Sequence, residues 1–357
     1  MSIDTDRESY LISFLDLSLS GLICSMNNEK IIGLLKELGL AVSRRCFAAF
    51  NSNINLNSEV KTSPADIIYR IDIEAEEEII EILHKRASEF GGIILLAEGI
   101  GEDDKSIYPE GLEEDDAQLK IICDPIDGSR GLMYGKRPAF FLAAAGPASA
   151  KTLKDMNTSV MVEIPIPKQN EFDVKSAIRG QGAKNERYKT DGTSKEFLLT
   201  PCKAESIANG FISFVKYCYP GKDFVSILEE EFLDEIFGGR NEHFLPVFED
   251  QYISNGGQLH ELICGHDRLI FDVRAAMYKK FASEGKKVGQ ISHPYDMAGV
   301  LVAEEYGIIV TNLDGTPFDA PLDMTYDVDW IGYSNKAIRV QCESILRSIM
   351  KSHGLLK

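Results

Sequence analysis

The chain has 357 residues, 44% of them apolar, and carries 38 Lys plus Arg against 56 Asp plus Glu, a formal charge of −18. So acidic a chain has no broad attraction for nucleic acid or anionic lipid, and neither is expected as a partner. At roughly 100–200 residues per domain the length allows two or three domains, and an anionic substrate would need local positive charge from metal ions and a few Lys or Arg.

The N-terminus lacks a basic region and a cleavage site, so no export signal is read. Residues 11 to 24 are interrupted by Asp16 and serines and fall short of the about 20 residues of a membrane span. Leu11, Leu15, Leu19, Leu22 and Ile23 repeat at helical spacing, which predicts a docked amphipathic helix. A second helix is predicted over 28–49, with Ile31, Leu34, Leu35, Leu38, Val42 and Cys46 inward. A third covers 73–90, opening on Glu74, Glu76, Glu77 and Glu78 and stopped by Gly91-Gly92.

A buried strand follows at 93–97 and ends at Glu98. Residues 99 to 116 hold eight Asp or Glu, three Gly and one Pro, the composition of a solvated loop. Strands are predicted at 119–123, 139–146, 158–163 and 171–177, with a turn at 180–183. Residues 184 to 205 look polar and irregular. Helices near 222–237, 257–265 and 296–306 and strands at 308–310 and 330–333 complete the pattern, with a boundary near 190 between an N-terminal part (1–190) and a C-terminal part (191–357). The seven cysteines form no C-x-x-C pair and read as reduced, structural thiols of a cytoplasmic protein.

Residues 122 to 129 are Ile-Cys-Asp-Pro-Ile-Asp-Gly-Ser, an apolar strand ending in two carboxylates, Asp124 and Asp127. Acids this close at a strand end repel one another and call for a compensating cation, a hard divalent metal held by oxygen. Asp72, Glu98 and Asp296 also stand at element ends, where layered α/β proteins gather functional groups. Asp296 in His-Pro-Tyr-Asp-Met-Ala-Gly would equally serve as a plain helix cap. The six histidines show no ligand spacing. His293 precedes Asp296 by three residues, whereas His84 reads as structural.

Asp-Pro-Ile-Asp-Gly-Ser at 124–129 resembles the D-P-I-D-G-T/S signature of the inositol monophosphatase superfamily. Lys61 to Asp72 resembles that family's K-x-x-x-D-L/P-V-T-x-x-D. Ala97-Glu98-Gly99 stands where it has G-E-E, Arg179 to Ala183 resembles its G-x-G-A turn, and Pro294 to Gly299 resembles W-D-x-A-A-G. The motifs follow in the family's order over most of the chain.

The resemblance implies a layered α-β-α-β-α sandwich of the sugar phosphatase type, a mixed α/β fold. It implies Mg²⁺, two or three ions, with Glu98, Asp124, Asp127, Asp296 and the Ile126 carbonyl as ligands. Catalytic roles fall on Glu98, Ser129 and Asp72, and substrate binding on Gly128, Ser129, Arg130, Arg137 and Asp272. Asp272 is aligned with the family's substrate-recognition acid. The implied activity is Mg²⁺-dependent hydrolysis of a small phosphorylated polyol or sugar by direct water attack. The D-x-x-D spacing does not fit D-x-D phosphatases, and no P-loop is present. Alternatives are a bisphosphate phosphatase acting on a sugar or nucleotide, and an inactive, metal-binding regulatory homologue. A homodimer and lithium inhibition are further expectations of the resemblance.

Departures bear on the substrate. Gly99 replaces the second Glu of G-E-E, Ser129 the commoner Thr, and Tyr295 the Trp. Extra length lies at 184–255 and 274–293. Arg130, Lys136 and Arg137 would together hold a second anionic group, or else pair with the acids at 102–116. Ser254-Asn-Gly-Gly257 resembles the family's Gly-rich loop near the substrate and also fits a helix N-cap.

Overall fold

The computed structural model describes residues 5–50, 59–62, 67–239 and 246–357, with side chains described over 28–50 and from 71 onward. Helix α1 (Thr5–Phe50) is followed by a hairpin of β1 (Glu59–Thr62) and β2 (Ile67–Tyr69), which leads into α2 (Arg70–Arg86). Strands β3 (Ile93–Ala97), β4 (Lys105–Tyr108) and β5 (Leu119–Asp127) precede the short α3 (Ser129–Met133). Then come β6 (Ala139–Pro147), β7 (Thr158–Ile164), β8 (Glu171–Ile178), β9 (Ala183–Lys189) and β10 (Ser194–Glu196). The remainder is β11 (Gly210–Phe214), α4 (Lys222–Phe237), β12 (Val247–Glu249), α5 (Asn255–Ile263), β13 (Asp267–Asp272), α6 (Arg274–Ser283), α7 (Val300–Glu305), β14 (Ile309–Thr311), β15 (Trp330–Tyr333) and α8 (Lys336–Ser352).

Strands β3 to β10 make one eight-stranded sheet in the order β10-β9-β8-β7-β6-β5-β3-β4. Only β3 and β5 pair parallel within it. A five-stranded sheet, ordered β12-β11-β13-β15-β14, is parallel at β11 and antiparallel at β15. Burial follows the pleat, because successive side chains point to opposite faces. Phe141, Ala143 and Ala145 of β6 join α1 and α2 in one core, while Phe140, Leu142 and Ala144 face α5 and α7 in a second. Ile270 of β13 belongs to that second core, and its neighbours Leu269 and Phe271 to a third with α4, α6 and α8. The layers therefore run α-β-α-β-α. Sheets covered on both faces explain why these strands read as continuous apolar runs rather than alternating ones.

Several expectations change. The two helices expected over 11–24 and 28–49 are one, α1; docking of its first part lies outside the described side chains. The inward face of 28–50 is as expected, with Leu34, Leu35, Val42 and Cys46 fully buried. Residues 184–205, expected to be irregular, include β9 and β10, which extend the first sheet to Glu196, so the boundary expected near 190 falls inside its last hairpin. The acidic loop at 99–116 contains β4, an edge strand paired with β3. The described cysteines are all free thiols.

Candidate active site

Strand β5 pairs with β6 at Asp124 and again at Asp127, with an irregularity between them where Pro125 cannot donate to the ladder. That break turns both carboxylates the same way. They are 2% and 5% exposed. Asp296 reaches them from the short turn Tyr295–Met297, and one carboxylate oxygen from each of the three lies within 4.8 Å of the others. Asp296 does not cap α7, whose N-cap is Gly299; it accepts the His293 N–H at 2.6 Å inside its own turn.

The cluster is electrostatically costly as it stands. Burial pushes the Asp124 carboxyl well above the usual range, and Glu98, Asp127 and Asp296 add to the rise. Asp127 is raised by burial and by Asp296, against three hydrogen bonds that favour its ionised form. Those bonds come from the start of α5: Ser254 Oγ donates at 2.6 Å, Gly256 N at 2.5 Å and Asn255 N at 3.2 Å. Ser254 also N-caps α5, accepting from Gly257 N, so both readings of that Gly-rich segment are met. Oxygen donors, dehydrated and mutually repelling, form a set suited to a hard divalent cation.

A cavity of about 570 Å³ opens over this cluster. Glu98, Asp124, Ile126, Asp127, Gly128, Ser129, Arg130 and Asp296 all line it. Glu98 stands close enough to Asp124 to raise its proton affinity but is outside the tightest trio. His293 also lines it, with Nδ1 3.0 Å from the Tyr326 carbonyl.

Three expected site residues stand elsewhere. Asp72 is in the first turn of α2, half-buried and outside the cavity wall, where it raises the neighbouring Glu76 carboxyl. Arg137 pairs with Asp250 and lies 4.8 Å over the Tyr252 ring, drawn off by these partners rather than by the acids at 102–116. Asp272 is fully buried behind the wall, holding Arg274. Lys136 is exposed and does not line the cavity.

No family model matches the chain, and no curated protein matches it. Solved structures do. The extragenic suppressor protein SuhB from Bartonella henselae aligns over 89% of this chain and 98% of its own, with a TM-score of 0.60 and 17% identity. An inositol monophosphatase from Anabaena aligns over 91% and 97%, at 0.56 and 14%. A protein described as an inositol monophosphatase-fructose 1,6 bisphosphatase aligns over 88% and 98%, at 0.58 and 16%. The chain has the inositol monophosphatase fold.

On that fold, Gly99 carries a local explanation. Its φ is +79°, and a Cβ there would stand 2.5 Å from Glu76 Oε1. A carboxylate from α2 thus fills the space a second glutamate would enter. Burial, then Asp72 and Asp104, push the Glu76 carboxyl up to about 7.

Sequence reasoning did not single out Arg274, Gln290, Ser292 and Tyr217, which also line the cavity. The available signal was the charge of Arg274 two residues beyond Asp272 at a strand end.

Two other features are structural. Asp173, His260 and Cys264 also converge within 4.8 Å. Cations already serve that cluster, since Arg187 makes two bonds to Asp173 and Lys175 Nζ lies 2.6 Å from His260 Nδ1. A larger cavity of about 1030 Å³ adjoins the site across Ile291 and Thr325. Three of its carboxylates are engaged with turn and helix-start groups, Asp314 with Thr316, Asp323 with Thr325 and Asp329 with Ala276 N.

Proposed function

We propose that the chain is a Mg²⁺-dependent phosphomonoesterase acting on a small phosphate ester. The observation that carries this is the trio Asp124, Asp127 and Asp296, buried acids held within 4.8 Å of one another on the floor of an open cavity. Phosphate ester hydrolysis is also what the names of two of the fold relatives share.

Asp124, Asp127 and Asp296, with Glu98 and the Ile126 carbonyl, would hold Mg²⁺. Bound there, the metal would supply Lewis acidity toward the phosphoryl oxygens and lower the pKa of water. The protein's own groups do the rest. Ser254 and the amides of Asn255 and Gly256 fix the Asp127 carboxylate in one orientation, as outer partners of a ligand do. The Ser129 hydroxyl and the Glu98 carboxylate line the same wall and would orient the attacking water and accept its proton. Gly128 and Ser129 N–H groups would meet the phosphate.

The test is phosphate release by purified protein over inositol phosphates, sugar phosphates and nucleotide bisphosphates. EDTA should abolish release and Mg²⁺ restore it. Asp127→Asn should remove activity with the circular dichroism spectrum unchanged. Full turnover after exhaustive chelation would sink the reading, and inertness toward all esters would favour a metal-binding, non-catalytic role.

A further inference from the structure

Two adjacent residues, Ser292 and His293, reach two of the three clustered acids. His293 N donates to Asp296 Oδ2 at 2.6 Å. Ser292 Oγ accepts from Asn255 Nδ2 at 2.9 Å, and the Asn255 backbone N–H in turn donates to Asp127 Oδ1 at 3.2 Å. Asn255 Nδ2 also lies 3.4 Å from the Met297 sulfur, in the turn that carries Asp296. Asp127 and Asp296 come from distant stretches of chain, yet one short strip of backbone is bonded toward both.

What holds that strip is Arg274. Its Nη1 donates to the Gln290 carbonyl at 3.3 Å and its Nη2 to Ser292 Oγ at 2.5 Å. The remainder of the fork is taken by Asp272, with Nε 2.9 and 3.1 Å from the two carboxylate oxygens and Nη2 2.6 Å from Oδ2. Asp272, Arg274, Ser292 and Asn255 are each 3% exposed or less. From the other side, Val328 N donates to the Ser292 carbonyl at 2.8 Å. A guanidinium whose plane is set by a carboxylate holds two further acceptors at fixed angles, which an ammonium on a flexible stem cannot do. A buried ion pair is weak evidence for stability, and fixing one arrangement is its better-attested use. The arrangement fixed here is the gap between two buried acids that repel one another. The clamp is built from the extra segment, since Arg274 opens α6 and Ser292 lies in the stretch after it.

We infer that Arg274 is a positioning residue for the metal site: through Ser292, and from there through Asn255 and His293, it sets the spacing of Asp127 and Asp296. This rests on the metal-dependent reading of the acidic trio, and its test separates the two. Mg²⁺ is titrated calorimetrically into wild type, Asp127→Asn, Ser292→Ala and Arg274→Lys, each below its melting transition. Ser292→Ala removes one oxygen and Arg274→Lys keeps a charge against Asp272, so neither strands a buried charge. Both should raise the Mg²⁺ Kd by about tenfold to a hundredfold, the range for a group that orients a metal ligand. At saturating Mg²⁺, the KM for a phosphate ester that the wild type hydrolyses should stay within about twofold of wild type, because Arg274 does not meet the substrate. A merely structural role would lower the melting temperature and leave the Kd alone. A wild-type Kd in Ser292→Ala, or a raised KM with the Kd unchanged, would overturn the inference. If Asp127→Asn binds Mg²⁺ as tightly as wild type, the trio is not the metal site, and the metal reading falls and takes the inference with it. Loss of binding in Asp127→Asn beside an unchanged Ser292→Ala strikes the inference alone. Thermal melts confirm folding, and if Arg274→Lys does not fold, the Ser292→Ala Kd decides.

Discussion

Ser129, which ends the signature motif, and Arg137, eight residues further on, end in different places. Ser129 starts α3 on the cavity wall, whereas Arg137 is taken up by Asp250 outside it. If the Ser129 hydroxyl helps aim the attacking water, Ser129→Ala should lower kcat by roughly 10²–10⁴-fold with metal affinity nearly unchanged, because no charged ligand is lost. Ser129→Thr restores a hydroxyl and should retain most activity. Steady-state kinetics at saturating Mg²⁺, beside a metal titration, checks both, and a wild-type kcat in Ser129→Ala would leave the hydroxyl a turn residue. A second residue offers a pH test away from the site. Asp267 opens β13 buried, its carboxyl pushed up to about 7 by burial and then by Glu261, against the opposing pull of His266 and Arg137. Its folded value lies above its unfolded one near 4, so the folded state holds the proton more tightly. The stability this gives is full below about pH 4 and is lost as pH rises toward 7. Asp267→Asn cannot titrate. Its stability relative to wild type, followed by thermal melts, should climb between pH 4 and 7, by up to about 1 kcal/mol per pH unit, and level off above. A difference that stays flat across that window would refute this account.

At the scale of elements, the decisive contact is α5 against the end of β5. Gly256 lies in the first turn of α5, and a Cβ there would stand 2.9 Å from Asp127 Oδ2, 2.8 Å from Leu142 and 2.9 Å from Phe140. Glycine lets the helix start come down onto the carboxylate. Gly256→Ala should lift it, costing about 1–3 kcal/mol of stability from overpacking and about 10–100-fold in metal affinity. Differential scanning calorimetry and Mg²⁺ titration would read the two losses; unchanged metal affinity would mean that α5 does not position Asp127. The sequence exposed this contact only halfway. Ser254-Asn-Gly-Gly257 was legible as a cap or a substrate loop, but nothing local says that its amides meet Asp127, more than a hundred residues away. What was legible shares a cause. The Asp124-to-Ser129 motif and the strands at 93–97, 119–123 and 139–146 carry strong local signals, either clustered acids or apolar runs buried on both faces. What was missed lacks them. Strand β10 is an exposed edge, and β9, between it and β8, is polar and mostly half-buried, held by cross-strand contacts such as Arg187 with Asp173 and Tyr188 with Phe172 that no local pattern announces. Asp272 was legible as an acid after an apolar strand, yet its engagement by Arg274 depends on how α6 leaves the strand.

For the whole molecule, the layered arrangement brings the acids together from distant stretches of chain. Asp124 and Asp127 end a strand of the first sheet, and Asp296 arrives from a turn packed on β5 and β6, beyond the second sheet's β13. With a formal charge of −18, folding concentrates like charge where it is least screened. A cation bound there would tie these segments together, and ligand binding to the folded state alone raises stability by RT ln(1 + [L]/Kd), about 2.7 kcal/mol at a hundredfold excess over Kd. Mg²⁺ should therefore raise the melting temperature by several degrees, EDTA should reverse the gain, and NaCl at matched ionic strength should give much less, since screening alone acts weakly on buried groups. Asp296→Asn tests the origin of the effect, because it should act in opposite directions in the two states. Without metal it removes repulsion from Asp124 and Asp127 and should melt higher than wild type; with Mg²⁺ it lacks a ligand and should gain little. Melting curves of both proteins across a Mg²⁺ series supply the check. Parallel shifts in the two proteins would mean that the metal binds elsewhere on the acidic surface and that the buried trio is not its site.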